Sequence, residues 1–223
     1  MEQNKLDRIM EKIAGGREYR RMEIRVKASE ADEEDYKVEG YACTFNEPYE
    51  LFRWDDYIVN EQVDPHAFDE CDMSDVIMQY DHQGRVFARL SNETLSVDPD
   101  DHGLHTEAYL GGTEIGKQLF EEIKGGYTNK MSFGFTVAED KKEVTNDHDN
   151  GVTTVLRTIT KVRKLYDVSA VSLPANDGTE ISARSWSEGV IAELEAERLR
   201  GVATEEARSK ALAVLNKYKP KEV

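Results

Sequence analysis

Three residues far apart in the chain have types that together make a nucleophile usable: His82 in "DHQGR", Ser132 in "NKMSFGF" and Asp167 in "KLYDVSAVSL". A hydroxyl is a weak nucleophile at neutral pH and needs a neutral imidazole within ~3 Å to take its proton. That imidazole in turn needs a partner, usually a carboxylate, to fix its tautomer and stabilise its cation. The surroundings of Ser132 are suggestive. Met131, Phe133 and Phe135 alternate as a buried strand face should, whereas Ser132, Gly134 and Thr136 on the other face are all small. Either another backbone packs close there or something must reach the hydroxyl. Each residue also has an ordinary reading. A serine in a strand is usually structural, Gly134 can mark a bulge or close packing, and His82 beside Gln83-Gly84 suits a surface turn. Asp167 shares a strand face with Leu165, Ser169 and Val171, so it is expected to point inward. There it must be paired or neutralised, and Arg163 is the ready ionic partner.

The remaining candidates are weaker. His102 and His105 flank a turn near Asp98, Asp100 and Asp101, which suggests a metal, but no ligand spacing supports one and acidic turn residues are mostly solvated. His66 follows a helix-cap signal, and His148 lies in a charged stretch. Cys43 and Cys71 make neither a disulfide framework nor a zinc spacing. There is no GxSxG elbow, no phosphate-cradling glycine loop and no HExxH helix, and no cofactor is implied.

The elements that must position these groups are mainly strands. A period of two runs through Met22, Ile24 and Val26, then through Tyr36–Phe45 after the acidic run SEADEED. Residues 57–63 form another strand, and Asp64-Pro65 opens a brief helix, HAFDECD. The strand from Val76 ends in "DHQGR", and residues 94–110 form a hairpin turning at PDDHG. Thr113 caps a helix, EIGKQLFEEIKGG, that Gly125 stops. The Ser132 strand (130–138) follows, then a charged loop (139–151), then a β-pair, VTTVLRTIT and VRKLYDVSAVSL. The expected class is α+β. The expected units are a polar N-terminal extension (1–20), a β-rich domain (21–185) and a charged helical tail (186–223).

With 223 residues the chain can bury a core without staples. Its formal net charge of −16 argues against a nucleic-acid binder, which needs a basic face to displace counterions. No signal peptide opens the sequence, and no apolar run is long enough to cross a bilayer.

Four separated blocks, "VIMQYDHQGRVFARL", "HGLHTEAYL", "EIKGGYTNKMSFGFTV" and "KLYDVSAVSLPAN", resemble in content and order the prohead maturation proteases of tailed phages. The resemblance covers roughly residues 22–184 and is sharpest at the Met-Ser-Phe-Gly-Phe block. It implies a β-barrel core with flanking helices, similar in fold to the herpesvirus assemblins, and a serine endopeptidase. His82 would be the general base, Ser132 the nucleophile and Asp167 the third member, where the family usually has glutamate. Oxyanion donors are expected near Ser132, with the Phe133 backbone and Arg163 as candidates. Ser132 and His82 should then meet within ~3–4 Å at a surface groove. The implied partners are the major capsid protein and scaffold, cut together with the enzyme itself inside the immature capsid in the host cytoplasm. A homodimer also fits the resemblance. The competing readings are an inactive assembly protein of the same fold and metal-assisted hydrolysis at His102 and His105.

Overall fold

In the computed structural model, which describes residues 18–26, 35–147, 151–171, 177–201, 209–210 and 212–214, the alternating segments become ten strands. They are β1 (Glu18–Val26), β2 (Lys37–Thr44), β3 (Tyr49–Trp54), β4 (Tyr57–Val63), β5 (Ile77–Tyr80), β6 (Gln83–Arg89), β7 (Leu95–Pro99), β8 (Gly103–Tyr109), β9 (Lys130–Asp147) and β10 (Val152–Val171). Among the helices of the described residues are α1 (Glu114–Lys124) and α2 (Asp177–Gly201). The α+β class holds, with strand predominating.

The strand order is β3-β4-β10-β9-β1-β2-β8-β7, and β5 and β6 form a hairpin joined to β10 through β5. β1 links two sheets, pairing with β9 over Glu18–Glu23 and with β2 over Ile24–Val26. Among the described strands β3 and β7, at the two ends, do not pair with each other. Among the described strands the sheets therefore stay open, without the closed barrel implied by the resemblance. β10 is the organising strand: it runs antiparallel to β9, parallel to β4 over Thr153–Ile159 and parallel to β5 over Asp167–Ala170.

The main core gathers Met78, Leu104, Phe120, Met131, Phe133, Phe135, Leu165 and Val168. α1 follows its signals. The Thr113 hydroxyl accepts from the Gly116 N–H at 3.1 Å, Gly125 caps the far end, and Leu119, Phe120 and Ile123 are buried. A second cluster joins α2 to the sheet, with Trp186 and Val190 against Val59 and Val155.

Beside it lies a buried charge network. The Arg157 guanidinium reaches Glu18 at 2.8 Å, Glu61 at 2.9 Å and Asp140 at 2.7 Å, and sits 4.6 Å from the Trp186 ring. Arg20 bonds Glu18 at 2.6 Å and also Glu61, to which Tyr49 donates. Burial alone would raise the Glu61 carboxyl, but Arg20 and then Arg157 outweigh it and hold it below its ordinary value.

Several sequence expectations change. The charged stretch expected as a loop at 139–151 is strand as far as Asp147, because β9 and β10 stay in register out to Asp147 and Val152. The expected β-pair at 152–171 is one strand that absorbs bulges instead of turning. HAFDECD forms successive turns, not a helix, although the Asp64 carboxylate still accepts from the His66 N–H at 2.8 Å. Tyr49–Trp54, which follows Pro48, pairs with β4 as β3. Glu18 and Arg20 are buried in β1, and α2 runs unbroken from Asp177 to Gly201. Residues 1–17 of the expected polar extension (1–20) lie outside the described residues.

Candidate active site

His82 occupies a two-residue hairpin turn between β5 and β6, with Tyr80 paired to Gln83 across it. Asp81 and His82 both have positive φ, 49° and 57°. That is the geometry of a type I′ turn, whose twist matches the flanking strands. A histidine in this left-handed region is uncommon and carries a strain of about 1–3 kcal/mol, as backbone at functional sites often does. The Asp81 N–H donates to the Ala170 carbonyl at 2.9 Å and ties the turn to β10.

Asp167 reaches the same place by a bulge. In an unbroken strand Leu165 and Asp167 would share a face, as the sequence suggests. Instead Leu165 pairs with Phe135 and Asp167 with Gly134, two steps on β10 against one on β9. Tyr166 is the extra residue, so Leu165 stays in the core while Asp167 turns to the opposite face. That face carries Gly134, Ser132 and Ser169, the last two directly paired.

The side chains then make contact. His82 Nδ1 lies 2.5 Å from Asp167 Oδ1, and Ser169 Oγ donates to the same oxygen at 2.7 Å. Asp167 and Ser169 are fully buried, and the His82 side chain is 11% exposed. With Nδ1–H donating to the carboxylate, a neutral ring carries its lone pair on Nε2, the nitrogen a general base needs. The partners of Asp167 are thus His82 and Ser169 in place of the expected Arg163. Ser169 was visible in the sequence only as a strand neighbour, and its role follows from lying two residues beyond Asp167 on one face.

Ser132 stands apart. It is directly opposite Ser169 and so on the same face as Asp167, yet its Oγ is buried without a hydrogen-bond partner among the described residues. It makes no hydrogen bond to His82. The residue is 2% exposed, so among the described residues no open groove reaches its hydroxyl. β9 is an interior strand here, with β1 on one edge and β10 on the other, and its small residues allow close cover. A buried hydroxyl left unpaired costs about 1–3 kcal/mol.

The two oxyanion candidates fare differently from the triad candidates. Phe133 is paired on both sides, with Arg20 and with Val168, so its N–H is directed into a ladder. Arg163 is exposed and six residues along β10 from Ser169, roughly 20 Å of extended strand, beyond the reach of its side chain. Neither is available as a donor in this arrangement.

Other chemistry finds less support. Asp100 accepts from the Tyr41 hydroxyl at 2.8 Å and from the N–H groups of His102 and Gly103, so it closes a turn. His102 and His105 pack edge-on against Tyr41. Among the described residues no three His, Cys, Asp or Glu gather as metal ligands would. Burial pushes the Cys43 thiol up to about 12 and the Cys71 thiol up to about 11, so neither supplies a thiolate at neutral pH. No helix among the described residues is long and apolar enough to cross a membrane.

No curated protein and no solved structure matches the chain. A family model described as caudovirus prohead serine protease matches residues 22–190, a span that contains the His82 turn, the Ser132 strand and the bulge at Asp167, and the chain belongs to that family.

Proposed function

We propose that the chain is a serine endopeptidase of phage head maturation, with Ser132 as nucleophile, His82 as general base and Asp167 as the group that orients His82. The observation that carries this reading is the His82–Asp167 hydrogen bond, formed across a bulge that turns the carboxylate onto the face of Ser132. In the forward step Ser132 Oγ attacks the substrate carbonyl as His82 Nε2 takes its proton. The imidazolium formed is stabilised by Asp167. The proton then passes to the departing amine, and water resolves the acyl-enzyme by the same route in reverse. Ser169 acts through Asp167 as a positioning residue. The proposed substrates are scaffold, extensions of the capsid protein, and the chain itself within the prohead.

The burial of Ser132 favours a second reading, an assembly protein of the same fold without activity. The two differ on whether the hydroxyl can be reached. A fluorophosphonate probe with mass mapping of the adduct separates them. The catalytic reading expects one adduct on Ser132, lost in Ser132→Ala and in His82→Ala. Absence of any adduct on the wild-type chain would favour the inactive component.

A further inference from the structure

A cleft of about 550 Å³ opens beside the His82 turn, between the β5–β6 hairpin and α1. Its apolar lining is Tyr80, Phe87, Ile115 and Leu119, and Asp81 and Gln83, the neighbours of His82, complete one wall. The volume lies in the range of ligand-binding clefts, with room for a large side chain and adjoining backbone. One wall is the hairpin that carries His82, and the other is α1, the element that precedes the Ser132 strand in the chain.

Two further features fit an extended peptide as occupant. Among the described residues β6 pairs only with β5, so its outer edge offers backbone donors and acceptors to an added strand. Gln83, Gly84, Arg85 and Val86 are consecutively exposed there. On α1, Leu119 is buried at the base of the cleft while Ile115 is only half-buried and faces the opening, although the helix period alone assigns both to the core face.

We infer that the cleft between the β5–β6 hairpin and α1 is a substrate-binding site that seats a large apolar side chain of an extended polypeptide beside His82. This rests on the proteolytic reading for its purpose, and its binding test does not depend on catalysis. Phe87, Ile115 and Leu119 set the preference for an apolar residue, and the free edge of β6 holds the peptide backbone.

The test uses the full chain carrying Ser132→Ala and dye-labelled nine-residue peptides of Gly, Ser and Ala that differ only at the centre: Leu, Phe, Lys, Glu or Gly. Fluorescence anisotropy should show the Leu and Phe peptides binding about tenfold or more tighter than the Gly and Glu peptides, as burial of one large apolar side chain implies. Adding Ile115→Glu, or the milder Ile115→Ser, should reduce the discrimination to about twofold with the melting transition retained. Equal affinity for all five peptides, no measurable binding, or discrimination unchanged in both Ile115 variants would overturn the assignment. Fluorophosphonate labelling of the wild-type chain, with Ser132→Ala as its control, reports on Ser132 separately. Failure to label the wild-type chain would count against the catalytic reading alone.

Discussion

Asp167 is the residue on which the candidate chemistry turns, because it sets which nitrogen of His82 carries the proton. Replacing it with asparagine keeps the shape but offers an amide where the ring needs an acceptor. We expect Asp167→Asn to fold normally and to lower kcat by ~10³–10⁴-fold in a peptide-hydrolysis assay. Ser169→Ala removes one hydrogen bond from the same carboxylate oxygen and should have a far milder effect on kcat. Ser132 carries a prediction that does not depend on activity. Its hydroxyl is buried and unpaired, so Ser132→Ala should leave stability unchanged or raise it, by up to about 1–3 kcal/mol, in urea denaturation. A clear destabilisation would mean that the hydroxyl has a partner after all. The residue types at these three positions were legible in the sequence, since their chemistry restricts what they can do together. The face that Asp167 presents was not legible. Period-two counting places it beside Leu165, and the extra residue at Tyr166 that reverses this leaves no signal in the local composition.

At the scale of elements, the site depends on β10, whose two halves join β4 and the β5–β6 hairpin to the Ser132 strand. Strands with regular alternation and a hairpin with a strong turn signal, such as 94–110, were legible because local pattern and final pairing agree. The His82 hairpin was not, since β6 has four consecutive exposed residues and no alternation over its first half. The last part of β9 was likewise hidden, because its charges read as loop while pairing to β10 makes it strand. α2 tests how far the core extends. Its overall composition is polar, but Trp186 is buried against Val59 and Val155 and stacks on Arg157. Trp186→Ala should cost about 3–5 kcal/mol in denaturant unfolding. A cost below ~0.5 kcal/mol would show that the helix adds nothing to the core.

For the whole molecule, the network of Glu18, Arg20, Glu61, Asp140 and Arg157 ties together β1, β4, β9 and β10. Removing one charge from it strands the others, so Glu61→Gln should destabilise the protein by about 3–5 kcal/mol. The pH dependence follows from the lowered Glu61 carboxyl. Its contribution is fully present above the unfolded value near ~4.3 and is lost as pH falls through the lower folded value. Wild-type stability should therefore decline with acid below about pH 4, and less steeply in Glu61→Gln, by circular dichroism. The acidic net charge was plain in the sequence, yet it gave no hint of this interior pairing, which brings together residues of different strands from 17 (Asp140 and Arg157) to 139 (Glu18 and Arg157) positions apart. The central claim, that this chain is a peptidase acting through Ser132, is tested most directly by co-expressing it with its capsid and scaffold proteins and measuring all intact masses. The account predicts shortened capsid-protein and scaffold species with the wild-type chain and only full-length species with Ser132→Ala. Identical masses in the two experiments would contradict it.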